Sequence, residues 1–117
     1  MKKTLLVLSL SLGLSQVALA EEASKAPATA KPAVETSAGE ALFKAKTCWS
    51  CHGKDAKTPI LPIYPKIAGQ NEAYIVNQMM DIKTGKRANG QAAAMKGVMG
   101  LVSEDEIKKI AKWLATQ

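Results

Sequence analysis

The sequence predicts an all-α domain. Three segments repeat apolar side chains at helical spacing, and no run shows the period-two alternation of a half-buried strand. Between the first two of these segments, TPILPIYPKIAGQ carries Pro59, Pro62 and Pro65, which excludes regular structure there. At 117 residues the chain is one domain at most.

Residues 1–20 stand apart from the rest. Lys2 and Lys3 make a basic start, LLVLSLSLGL is apolar, and ALA closes the segment at Ala20 with small residues on either side of Leu19. This is the pattern of a secretory signal peptide cleaved before Glu21, the competing expectation being an uncleaved N-terminal anchor. The apolar run is short for a spanning helix, so no stable membrane insertion is expected after cleavage, and the expected location is the periplasm. Residues 21–37, EEASKAPATAKPAVETS, have one Val as their largest apolar side chain and read as a flexible leader. The domain proper is expected at 38–117, about 80 residues, a size that usually needs a staple, metal or cofactor to order its core. A disulfide across Cys-x-x-Cys would close too little chain to serve.

The first helix is expected over Ala38–Thr47, AGEALFKAKT, where Ala38, Leu42 and Ala45 share a face with Phe43 beside them. The second is EAYIVNQMMDIKTG, capped by Asn71 and stopped at Gly85. Its stripe is Ile75, Met79 and Ile82, bordered by Tyr74. The third is SEDEIKKIAKWLA, with Ser103 as cap and Glu106 three residues on, a capping box. Ile107, Ile110, Ala111 and Leu114 form its apolar face, while Lys108, Lys109 and Lys112 face water.

Charge excludes one class of function. The 16 basic residues less Lys2 and Lys3 leave 14, against 10 acidic ones, a net charge of +4 for the exported chain. That surface favours acidic partners. With no aromatic side chains interleaved among the bases, and with an export signal, nucleic acid is not among them.

The chemistry is concentrated in TCWSCHG. Both cysteines of the chain and its single histidine, Cys48, Cys51 and His52, fall within five positions. A structural zinc site needs four ligands, and Cys51 and His52 are adjacent, which makes joint coordination of one small ion awkward. Thiol–disulfide exchange belongs at a helix start on a βαβ scaffold, for which there are no strands. Unused thiols are poorly suited to an oxidising compartment. Covalent haem attachment uses all three residues in their order: two thiols reach the two vinyl groups of one porphyrin, and the following histidine is delivered beneath the iron. The porphyrin then supplies much of the small domain's core.

A sixth ligand cannot be a second histidine of this chain. Met79, Met80, Met95 and Met99 are the methionines beyond the signal segment, and spacing does not separate them. Met79 lies on an apolar stripe where methionine ordinarily packs; Met95 and Met99 lie in the small-residue segment GQAAAMKGVMG.

CWSCH, YPKIAGQNEAYIVNQMMDIKTGKR and a methionine eight residues ahead of SEDEI together resemble the small bacterial class I cytochromes c, over essentially all of residues 38–117. The resemblance implies the class I cytochrome c fold, three or more helices wrapped around one haem c held through Cys48 and Cys51. It implies His52 and Met95 as axial ligands and the Pro65 carbonyl as acceptor of the proton on His52's free ring nitrogen; Pro62 lies outside the matching part of the loop. It also implies that Gly39 and Phe43 pack against the last helix with Trp113, and that Gly69 and Gln70 turn the chain into the middle helix. KTPILP departs from the family, where a longer glycine-rich loop is common.

These expectations lead to a periplasmic electron carrier, not an enzyme. It would pass one electron between respiratory partners such as an oxidase or reductase with acidic docking surfaces. Lys54, Lys57, Lys66, Lys86, Arg87 and Lys96 are candidates for orienting them, or are simply solvated. The competing expectations are a haem-bearing subunit of a larger oxidoreductase, a peroxidase-like or ligand-binding haem protein with a labile sixth ligand, and a basic binding module without cofactor.

Overall fold

The computed structural model describes residues 30–117, so the expected signal segment and the start of the expected leader lie outside the described residues. Five helices follow in order: α1 Ala30–Ala45, α2 Trp49–His52, α3 Glu72–Thr84, α4 Ala92–Gly100 and α5 Glu104–Ala115, with no strand among the described residues.

The first and last helices cross at Gly39. A Cβ there would stand 2.2 Å from the Lys109 carbonyl oxygen and 2.6 Å from Trp113 Cβ, so only a residue without a side chain lets the two backbones approach so closely. One turn further on, Phe43 meets Trp113 with ring centroids 4.8 Å apart at 48°, a tilted aromatic pair. Gly39 and Phe43 thus form the inward line of α1. This corrects the expected face: Ala45 is exposed, Leu42 half-buried and Phe43 fully buried.

The expected leader is also corrected. Residues 30–37 are the first turns of α1, not irregular chain. Pro32 sits in the first turn, where the helix tolerates its missing N–H. Further along, Ala33, Val34 and Glu35 continue the helix, and the Glu35 carboxylate accepts a hydrogen bond from Lys112 Nζ of α5. That tertiary ion pair is invisible to local composition. It holds the Lys112 ammonium above its ordinary pKa and leaves Lys112 half-buried, not facing open water.

α3 and α5 begin and end as expected. Asn71 Oδ1 accepts from Tyr74 N at 3.1 Å, and α3 stops at Gly85 with φ 82°. Ser103 Oγ accepts from Glu106 N at 3.2 Å while Ser103 N donates to Glu106 Oε2 at 2.8 Å, the reciprocal box. Ile75 and Ile82 of α3 and Ile107, Ile110, Ala111 and Leu114 of α5 all reach the core. Burial of each large aliphatic among them contributes on the order of 2 kcal/mol.

α2 and α4 are additions to the three expected helices. In α4, Ala92–Ala94 are strong helix formers, and Gly97 and Gly100 do not break it because Ala92, Met99 and the following Val102 are buried in the core.

Candidate functional site

The site starts where α1 ends. Thr47 takes φ 58° and reverses the chain, and Cys48 N donates to the Phe43 carbonyl at 3.1 Å, which fastens the cysteine segment to the aromatic crossing. α2 is a single turn, closed by His52 N to Cys48 O at 3.1 Å and Gly53 N to Trp49 O at 3.0 Å. That turn brings Cys48 and Cys51 to the same side, three residues apart, with His52 next in line. Both thiols are free and half-buried. Burial pushes the Cys48 thiol up to about 11, so it stays protonated at neutral pH.

A tightly wound loop then delivers a carbonyl to the histidine. Gly53 has φ 80°, and a Cβ on it would lie 1.9 Å from the Thr58 carbonyl oxygen. Asp55 Oδ1 accepts from Lys57 N and Thr58 N, both at 2.9 Å, which holds the Asp55 carboxyl below the usual carboxylate range. Ile60 N returns to the Cys51 carbonyl at 3.0 Å, and the buried Ala56 accepts from Ile67 N and Ala68 N at 3.1 Å each. Ala56 itself has φ 56°, a left-handed conformation for a residue with a Cβ, held by these bonds.

The product of that winding is the position of Pro65. Its carbonyl oxygen lies 2.8 Å from His52 Nδ1, and His52 is 4% exposed. A carbonyl can only accept, so Nδ1 donates, and in the Nδ1–H tautomer the lone pair lies on Nε2. Nε2 has no hydrogen-bond partner among the described residues. Pro62 is exposed and takes no part in this bond. The Gly69–Gln70 turn enters α3: Gly69 N donates to Leu114 O at 2.8 Å, and Gln70 Oε1 accepts from Asn71 N at 2.9 Å.

The methionines are separated by burial. Met99 is 1% exposed and packed in the core, whereas Met79, Met80 and Met95 are half-buried at its edge. Lys54, Lys57, Lys66, Lys86, Arg87 and Lys96 are all exposed. Arg87 is partly engaged, donating to Gln78 Oε1 at 2.8 Å.

The donor set fits a covalently attached porphyrin. Two free thiols flank one turn, and next to them stands an imidazole oriented through Nδ1 by a backbone carbonyl, with Nε2 making no hydrogen bond to the described residues. It does not fit zinc: among the described residues no three His, Cys, Asp or Glu side chains converge on one point. Sequence reasoning missed the support beneath this arrangement, namely Thr47, Gly53, Asp55 and Ala56. Of these only Gly53, directly after the histidine, and the Asp55–Thr58 turn left any signal in the sequence.

Comparison with known proteins agrees. The cytochrome c family model matches residues 36–117. Cytochrome c4 of Pseudomonas aeruginosa is 38% identical over 117 residues, all of this chain and 49% of that protein. Cytochrome c-554(548) of Halomonas halodenitrificans is 34% identical over 83 residues, 71% of this chain and 96% of its own length. Cytochrome c-551 of Pseudomonas denitrificans is 37% identical over 86 residues, 68% of this chain and 98% of its own. The chain spans about half the length of the cytochrome c4 relatives it matches. It belongs to the cytochrome c family, whose haem c is bound covalently through the pair that stands here as Cys48 and Cys51.

Proposed function

We propose that this chain is a periplasmic one-electron carrier whose haem iron is ligated by His52 Nε2 and Met95 Sδ. The observation that carries the reading is the His52–Pro65 hydrogen bond, which orients the ring through Nδ1 and leaves Nε2 as the nitrogen for iron. The burial of Met99 supports Met95 as the sixth ligand, because a thioether packed at 1% exposure would have to leave the core to coordinate.

The bound haem supplies reversible one-electron exchange. The protein's part is to hold both axial donors in place, so that little reorganises between oxidation states, and to keep water from the iron. His52 is the chain's single histidine and is already committed, so this chain has no second imidazole to move protons in peroxide chemistry. That favours a carrier over a catalyst. Exposed lysines orient acidic redox partners in encounters that are weak and salt-sensitive. The half-length match to cytochrome c4 supports a second reading, in which the domain works beside another redox domain or subunit. A stably co-purifying partner distinguishes it.

The test is the ultraviolet–visible spectrum of exported protein, oxidised and reduced. A c-type spectrum with the far-red sulfur-to-iron band in the oxidised form, lost in Met95→Ala, is the expected result. A wild type without the band, or with a ferrous form that binds carbon monoxide readily, overturns the saturated-carrier reading.

A further inference from the structure

α4 is short and rich in small residues, yet its C-terminal end is held by side chains from elsewhere in the fold. Lys83, in the last turn of α3, donates from Nζ to the Met99 carbonyl at 3.0 Å and to the Val102 carbonyl at 2.8 Å. From the other side, Lys46, two residues before Cys48, donates to the Leu101 carbonyl at 2.8 Å and pairs with Glu106 at 3.0 Å. Carbonyls at a helix C-terminus lack intrahelical donors and carry the negative end of the helix dipole, so an ammonium there satisfies both. Lys83 is half-buried, a costly place for a charge unless its donors are engaged. No apolar residue at 83 could make these bonds.

We propose that Lys83 is the positioning residue for the sixth ligand, fixing α4 against α3 so that Met95 stays within reach of the iron. The inference rests on the Met95 ligation proposed above. Met95 and Met99 are one turn apart and share a face of α4. Lys83 grips the backbone of Met99 itself, so the register of that face is set at a residue locked in the core, and Met95 is carried one turn towards the N-terminus from the grip. Beyond Met95 in that direction the small Ala92 is the one buried residue of the helix; Ala93, Ala94, Asn89, Gly90 and Gln91 are exposed, and Gln91 caps the helix with no side-chain hydrogen bond. Among the described residues, the side-chain hydrogen bonds that reach α4 from other elements are therefore at its C-terminal end, and loss of that anchor loosens the ligand before it unfolds the domain.

The experiment is a titration of ferric holoprotein with imidazole, which competes with Met95 for the iron and so measures how firmly the sulfur is held. Lys83→Met keeps the side chain's length and apolar stem but removes both hydrogen bonds. One charge-assisted bond is already worth about ten-fold in an equilibrium, so imidazole should bind at least about ten-fold more tightly. Lys83→Arg, whose guanidinium can again donate to two carbonyls, should return the affinity to within about three-fold of wild type. Lys112→Met, which breaks the Glu35–Lys112 pair between α1 and α5 and touches neither Lys83, Lys46 nor α4, should lower the urea midpoint and leave imidazole affinity unchanged. Where Lys83→Met fails to accumulate with haem, Lys83→Gln, too short to span both carbonyls, takes its place with the same expectation. A Lys83→Met or Lys83→Gln protein that keeps the far-red band and binds imidazole within about two-fold of wild type overturns the inference alone. A wild type lacking the band, unchanged by Met95→Ala, overturns the ligation reading and this inference with it.

Discussion

Gly39→Ala is the sharpest test of how the domain is held together. The added Cβ would stand 2.2 Å from the Lys109 carbonyl oxygen and 2.6 Å from Trp113 Cβ. Carbon and carbonyl oxygen settle at about 3.3 Å or more, so α1 must withdraw from α5 by about 1 Å. The obstacle is backbone, which cannot swing aside as a flexible side chain could. A gap of that size also forfeits a quarter to a half of each van der Waals contact at the crossing, roughly, including those of the Phe43–Trp113 pair. Overpacking costs about 1–3 kcal/mol, and weakening the aromatic pair adds about 0.5 kcal/mol or more. The gain from replacing glycine by alanine in a helix returns about 0.5–1 kcal/mol. The net expectation is a loss of about 2 kcal/mol, against a total stability of about 5–10 kcal/mol for a domain of this size. Urea unfolding of the holoprotein, followed by both haem absorbance and tryptophan fluorescence, measures it as a lowered midpoint at unchanged slope. Gly97→Ala is the control: a Cβ on this helical residue meets nothing within 4 Å, so that variant should gain about 0.5–1 kcal/mol. If Gly39→Ala melts within about 0.5 kcal/mol of wild type, close backbone approach does not set the crossing and the reasoning fails.

Three further outcomes are expected. Gly53→Ala combines φ 80° with a Cβ 1.9 Å from the Thr58 carbonyl oxygen, so the loop that carries Pro65 must shift. The yield of haem-loaded protein per milligram should fall sharply, and a wild-type yield and melt would refute the loop's role. Ser103→Ala removes half of the α5 capping box and should cost about 1 kcal/mol in the same urea assay. Glu106 accepts from Ser103 N and pairs with Lys46, and these bonds, led by the backbone one, hold its carboxyl below the ordinary value. A carboxyl depressed on folding contributes stability that is complete above its unfolded pKa and is lost as pH falls through its folded one. Glu106→Gln should therefore flatten the acid side of a stability–pH profile, and an unchanged acid limb would refute the assignment.

Local chemistry was legible in the residues themselves. CWSCH encodes its own single turn, so two thiols and an imidazole on one side follow from spacing alone. Asn71 and the Ser103–Glu106 pair announce their helices because a cap is a contact between residues three apart. The expected leader failed at Ala30–Ser37 because its helix is secured by the Glu35–Lys112 pair, between residues 77 apart in the chain. The left-handed turn at Ala56 was not legible for a related reason: its carbonyl is held by Ile67 and Ala68, more than ten residues on, which no nearby residue signals.

By itself the sequence determined the attachment chemistry, the caps and the apolar faces of α3 and α5, all of which depend on contacts within one or two helical turns. Only the tertiary structure decided that residues 30–37 continue α1 and how deeply each methionine is buried; the Pro65 carbonyl at His52 and the Gly39–Phe43 line against α5 it shows as the resemblance implied. Met95 and Met99 are four residues apart on one helix face, so periodicity treats them alike. What divides them is packing: Met99 is closed into the core while Met95 stays at its edge, where α4 lies against α3.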